Sequence, residues 1–127
     1  MQIMPKTAKF ISKNKEVRRN NASILKNPEI NIGVGQEYIK YLMKHKNINK
    51  NLIYLAAAYN GGPGNLKKWL ENTNYQNDPL LFMESIPSRE TRWFIEEVLT
   101  KYWIYKDQVG EKSNSLEMLA KGKNPIY

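Results

Sequence analysis

Tyr59, Asn60 and Glu84 are the side chains of this sequence whose types and surroundings suit chemistry. Tyr59 and Asn60 stand where an apolar helical run breaks, in Ala56-Ala57-Ala58-Tyr59-Asn60-Gly61-Gly62-Pro63-Gly64. A packed core would hold such residues at a helix end while they face outward, free to hydrogen-bond a partner. The plain alternative makes Tyr59 a core aromatic and Asn60 a helix-ending residue. Glu84 follows Leu80, Leu81, Phe82 and Met83 and precedes Ile86-Pro87. Desolvation by such neighbours would favour its neutral, proton-donating form, whereas a surface glutamate at a helix end would do no chemistry.

Other chemistries lack their residues. His45 is the single histidine, and neither H-E-x-x-H nor a carboxylate cluster at ligand spacing accompanies it, so no metal is expected. The same scarcity argues against a serine triad, and His45 reads as an exposed residue in a basic run. Gly61 to Gly64 is followed by Leu66-Lys67-Lys68 in place of the Gly-Lys-Ser/Thr of a phosphate-binding loop. The absence of cysteine removes disulfides, thiolate metal sites and thiol nucleophiles. No cofactor is expected.

The elements that must position these residues are helical. Pro5 suits a first helical turn, with Ala8, Phe10 and Ile11 as a short apolar stripe and an end near Lys13-Asn14. Ile32, Gly35, Tyr38, Ile39, Leu42 and Met43 recur at helical spacing from Asn31 to about Lys46, and Gly33 and Gly35 suggest a close backbone contact. Leu52 to Tyr59 is apolar on every side, which predicts a buried central helix. Gly61 would supply the left-handed residue that closes it, and Pro63 would restart the chain as far as Leu70. Asp78 before Pro79 caps a short turn to Met83. Ser88, with Glu90 in the first turn, starts a long helix whose apolar residues are Trp93, Phe94, Val98, Tyr102 and Tyr105 and which ends near Gly110. The tail from Glu111 is polar apart from Leu116, Met118 and Leu119, and it either docks weakly or stays mobile.

At 127 residues and 41% hydrophobic content the chain makes one domain with one modest core. Its net charge of +8 invites a nucleic-acid reading, but lysine dominates, only Arg18-Arg19 and Lys44-His45-Lys46 cluster, and no binding module accompanies the charge. No nucleic-acid partner is expected; diffuse attraction to an anionic polymer such as a cell wall fits better. No apolar stretch is long enough for a transmembrane segment, and Met1 to Pro5 is not the start of a secretory signal.

Four separated blocks resemble, in order, the soluble lytic murein transglycosylases. They are Met1-Gln2-Ile3-Met4-Pro5 with Thr7-Ala8; Asn27 to Gly33 with Gly35 and Tyr38; Ala57-Ala58-Tyr59-Asn60-Gly61-Gly62-Pro63-Gly64; and Glu84-Ser85-Ile86-Pro87 with Glu90-Thr91-Arg92. The resemblance runs from Met1 to about Tyr105. It implies a mainly α, lysozyme-like single domain of the goose-type branch over residues 1–108, followed by a tail, 109–127. It also implies a monomer that acts on peptidoglycan glycan strands, in the periplasm or cell envelope if the natural N-terminus carries a signal.

In that family a single glutamate protonates the bond between N-acetylmuramic acid and N-acetylglucosamine, then takes the proton of the muramic C6 hydroxyl, leaving a 1,6-anhydro end. One carboxylate suffices because the substrate supplies its own nucleophile. The resemblance places Tyr59 beside that glutamate, as the group that orients it, and places Gln2, Met4, Asn60 and Glu84 along the sugar-binding groove. The catalytic glutamate itself belongs to a Glu-Ser box upstream of the motif within which this sequence begins, and no residue of the chain matches it. The chain as it stands is therefore expected to be inactive, either as a transglycosylase domain without its proton donor or as a peptidoglycan-binding remnant or wall-assembly protein.

Overall fold

The computed structural model describes residues 5–12 and 24–127. They fall into two compact units, Met1–Lys44 and His45–Tyr127. Among the described residues every regular element is helical, and the single departure is an isolated antiparallel bridge between Asn51 and Ile126. None of these helices is long and apolar enough to cross a membrane.

In the first unit, helix α1 spans Pro5–Ile11, a single 3-10 turn covers Ile24–Lys26, and α2 spans Pro28–Met43. Helix α1 opens on its proline but ends at Ile11, short of Lys13-Asn14, which lie outside the described residues. Helix α2 starts three residues before the expected Asn31, because Asn27 Oδ1 accepts the N–H groups of Glu29 and Ile30 and Pro28 needs no partner at the first position. It buries Val34, Gly35, Tyr38 and Leu42. The Phe10 ring meets Tyr41 edge-on at 5.7 Å between centroids. Burial, and then the neighbouring Tyr41, pushes the Tyr38 phenol above its usual range. A Cβ added at Gly33 would meet nothing within 4 Å, so the close contact expected there is not found.

The second unit is built around α3, Leu52–Gly61, the central helix expected from its unbroken apolar run. Asn51, itself buried, caps it through Oδ1, which accepts from Ile53 N at 2.9 Å and Tyr54 N at 3.4 Å. Ile53, Ala57 and Ala58 are fully buried, and the small alanines let α4 (Pro63–Asn72) and α6 (Arg89–Gln108) pack closely against α3. Helix α5 (Pro79–Ser85) is capped by Asp78 and packs on α6, with Phe82 and Ile86 in the core. Ser88 caps α6 as expected.

The buried stripe of α6 differs from the one its aromatic residues suggest. Thr91, Ile95 and Leu99 are buried, whereas Trp93 is 61% exposed and Tyr105 62% exposed. Successive helical residues turn by about 100°, so a stripe through Thr91, Ile95 and Leu99 necessarily points Trp93 outward. The tail docks: α7 (Asn114–Ala120) buries Ser115, whose hydroxyl accepts from Trp103 Nε1 at 2.9 Å. Beyond it, Pro125 O accepts Leu52 N–H and Lys50 O accepts Tyr127 N–H, tying the tail to the start of α3.

Candidate functional site

The C-terminal end of α3 meets the N-terminal end of α6. Thr91 and Phe94, three residues apart on α6, share one side of that helix and face successive residues of α3. Thr91 Oγ1 donates to Asn60 Oδ1 at 2.7 Å. The Phe94 ring stacks on Tyr59 with centroids 6.0 Å apart and planes 2° from parallel. Tyr59 and Asn60 are both half-buried, and the Tyr59 hydroxyl is shielded from solvent.

The glycines after them act differently from the sequence expectation. Gly61 remains helical, and the left-handed residue is Gly62, at φ 87° and ψ 152°. Gly61 leaves room for Trp69: a Cβ there would lie 2.5 Å from Trp69 Cη2 and 3.0 Å from Cζ3, so the indole ring would have to shift. Three hydrogen bonds also hold the backbone of this turn. Gly62 N–H donates to Ala58 O, Leu66 N–H to Gly62 O, and Asn65 Nδ2 to Gly61 O at 2.8 Å. The expected restart at Pro63 is found, and α4 runs to Asn72, beyond Leu70.

Glu84 lies on the outer side of α5. Its side chain is exposed, and Leu80 and Leu81, on the same side at helical spacing, are 45% and 44% exposed. The expected desolvation of Glu84 is therefore not found, because Phe82, Met83 and Ile86 turn inward, away from the carboxylate. No hydrogen bond or ion pair among the described residues joins Glu84 to Tyr59 or Asn60. The turn after α5 is nevertheless fixed to α6, since Arg92 Nη1 donates to Ile86 O. Gln2 and Met4 lie outside the described residues.

Thr91, Arg92 and Phe94 hold this region together, yet of them only Thr91 and Arg92 fall within a resembling block and none stands out by chemistry. Thr91 could be found from its register: it is the third residue after the Ser88 cap, whose Oγ accepts its N–H at 3.1 Å. Among the described residues no group of three His, Cys, Asp or Glu side chains could hold a metal ion. A cavity of about 280 Å³ in the first unit is lined by Ser12, Glu29, Ile30, Gly33, Val34 and Glu37, and it contains none of the candidate residues.

Chemically, the end of α3 offers a stacked phenol and an amide with one end anchored. These groups can bind and orient a polar ligand. In comparison with known proteins, residues 1–82 match the family described as the Transglycosylase SLT domain. The chain is similar to the Soluble lytic murein transglycosylase of Salmonella typhimurium, 38% identical over 114 residues, which are 88% of this chain and 17% of that protein. It is also similar to the Soluble lytic murein transglycosylase of Escherichia coli K12, 37% identical over 113 residues, again 88% of this chain and 17% of the relative. The chain thus spans about a sixth of the length of these relatives. No solved structure matches it significantly.

Proposed function

The chain belongs to the Transglycosylase SLT domain family, with a mainly α, lysozyme-like fold, and from this membership we propose that it forms the substrate-binding part of a lytic transglycosylase. The substrate is the β-1,4 bond between N-acetylmuramic acid and N-acetylglucosamine in peptidoglycan. Protonation of the glycosidic oxygen breaks the bond at C1, and the muramic C6 oxygen takes its place as its proton leaves to the same carboxylate. Atoms balance without water, and the product is a 1,6-anhydro end. The reaction takes place on a monomer, in the periplasm or cell envelope if the natural N-terminus carries a signal.

The observation that carries this reading is the 2.7 Å bond from Thr91 to Asn60. It joins two of the resembling blocks, Ala57 to Gly64 and Glu84 to Arg92, 31 residues apart at the bond. Such a junction supports a shared role in one site. In that site Tyr59 orients the catalytic glutamate, and Asn60 and Glu84 bind the glycan; Gln2 and Met4, which the resemblance also assigns to glycan binding, lie outside the described residues. No glutamate of the 127 residues matches the proton donor, so turnover requires a protein that carries the family's Glu-Ser box ahead of Met1.

The test is mass spectrometry of murein sacculi digested with the 127-residue chain and with the same chain extended at its N-terminus by a Glu-Ser-bearing segment. The extended protein should release muropeptides lighter by one water than hydrolytic products, and the unextended chain should release none. Products with hydrolysed reducing ends would overturn the mechanism. Binding of sacculi without turnover by the extended protein would favour the wall-binding reading.

A further inference from the structure

Asn60 carries a planar amide with two unlike ends, an acceptor oxygen and a donor nitrogen. Within the protein one end is bound: Oδ1 accepts from the Thr91 hydroxyl at 2.7 Å. Thr91 is only 2% exposed, and its backbone N–H is held by the Ser88 cap at 3.1 Å, so its hydroxyl is aimed from a fixed helix start. The polar groups nearest in sequence are also committed, since Gly61 O accepts from Asn65 Nδ2 and Gly62 N–H donates to Ala58 O.

We propose that Thr91 is a positioning residue for ligand recognition, fixing the Asn60 amide with its oxygen inward and its nitrogen outward. Asn60 then presents N–H donors, and it selects an acceptor oxygen on the ligand. In an amino-sugar polymer the fitting group is the carbonyl oxygen of an acetamido substituent. This deepens the murein reading and rests on it. It also explains why an amide is used at this position where a carboxylate of equal size is not. An aspartate would still accept from Thr91, but its outward atom would be a second acceptor that repels the same ligand oxygen.

The test is calorimetric titration of the chain and its variants with a GlcNAc–MurNAc disaccharide carrying its stem peptide. Thr91→Val keeps the branched shape and removes the hydroxyl; affinity should fall roughly tenfold, the scale of one lost hydrogen bond. Thr91→Ser should recover most of that loss. In an Asn60→Ala background Thr91→Val should cost nothing further, because the residue it positions is gone. Asn60→Asp should weaken binding at least as much as Asn60→Ala while the melting temperature stays near that of the parent. Equal affinity of the parent and Thr91→Val, or the same loss with and without Asn60, would overturn the proposal.

If the parent chain does not bind the disaccharide peptide at all, the murein reading fails and the positioning claim is read by NMR instead. The Nδ2 protons of Asn60 should be well separated in the parent and Thr91→Ser, and should collapse towards free-amide positions in Thr91→Val. Unchanged resonances in Thr91→Val would overturn the positioning role by itself.

Discussion

The end of α3 and the outer face of α5 carry the candidate residues of the second unit in opposite ways. At the end of α3, Tyr59 is stacked on Phe94, Asn60 is bonded to Thr91, and Gly61 lies under Trp69. On α5, Glu84 stands exposed beside two half-exposed leucines, with no hydrogen bond or ion pair among the described residues. A group held on several sides loses little freedom when a ligand arrives, whereas an exposed glutamate must be ordered at that moment. The first arrangement fits groups whose direction decides recognition. The second fits a carboxylate that adapts to a variable part of the ligand.

The comparison breaks most visibly at Gly61. Gly61→Ala would place a methyl 2.5 Å from the Trp69 ring. Overpacking against a rigid side chain should cost about 1–3 kcal/mol, read as a lower melting temperature and looser Tyr59 and Asn60 resonances. Thr91→Val should cost about 1 kcal/mol by leaving Asn60 Oδ1 without its donor, again read by thermal or urea unfolding. Glu84→Gln should change stability by no more than about 0.5 kcal/mol, as for an ordinary surface substitution. In a Glu-Ser-bearing enzyme the same change should lower kcat/KM only slightly, and Glu84→Ala should lower it by a factor worth roughly 1–3 kcal/mol. Complete loss of turnover in Glu84→Gln would make Glu84 an acid/base and erase the contrast.

These outcomes also bear on what could be read from the sequence. The caps at Asp78 and Ser88 were legible because a cap is a local bond between a side chain and the next few N–H groups. The buried α3 was legible because a run apolar on all sides has no surface to prefer. Which of Gly61 and Gly62 turns left-handed was not, since either glycine can take a positive φ; nor was the approach of Trp69 to Gly61, which comes from α4. Glu84 misled because Phe82, Met83 and Ile86 turn inward, away from it, while Leu80 and Leu81, which share its side, are themselves exposed. Thr91 was legible as a residue of the first turn after the Ser88 cap, but its bond to Asn60 was not, for that partner lies 31 residues away.

Near the N-terminal end of α3, burial first, and then the hydrogen bond and charge of Tyr75, push the Tyr54 phenol above its ordinary value of 10.0. A phenol whose folded value is raised contributes stability that is intact below the unfolded value and lost as pH rises above it. The unfolding free energy should therefore begin to fall above about pH 10, and Tyr54→Phe should flatten that fall. An equal fall in the Tyr54→Phe variant would assign it to other groups.

The most direct test of the account is an NMR titration of the isotopically labelled chain with a GlcNAc–MurNAc disaccharide peptide. The largest shifts should fall on Tyr59, Asn60 and their anchors Thr91 and Phe94, with smaller shifts on Glu84 and none on the tail bridge at Asn51 and Ile126. Shifts centred on the tail, or no shifts at any saturating concentration, would contradict the assignment of the ligand site to the end of α3.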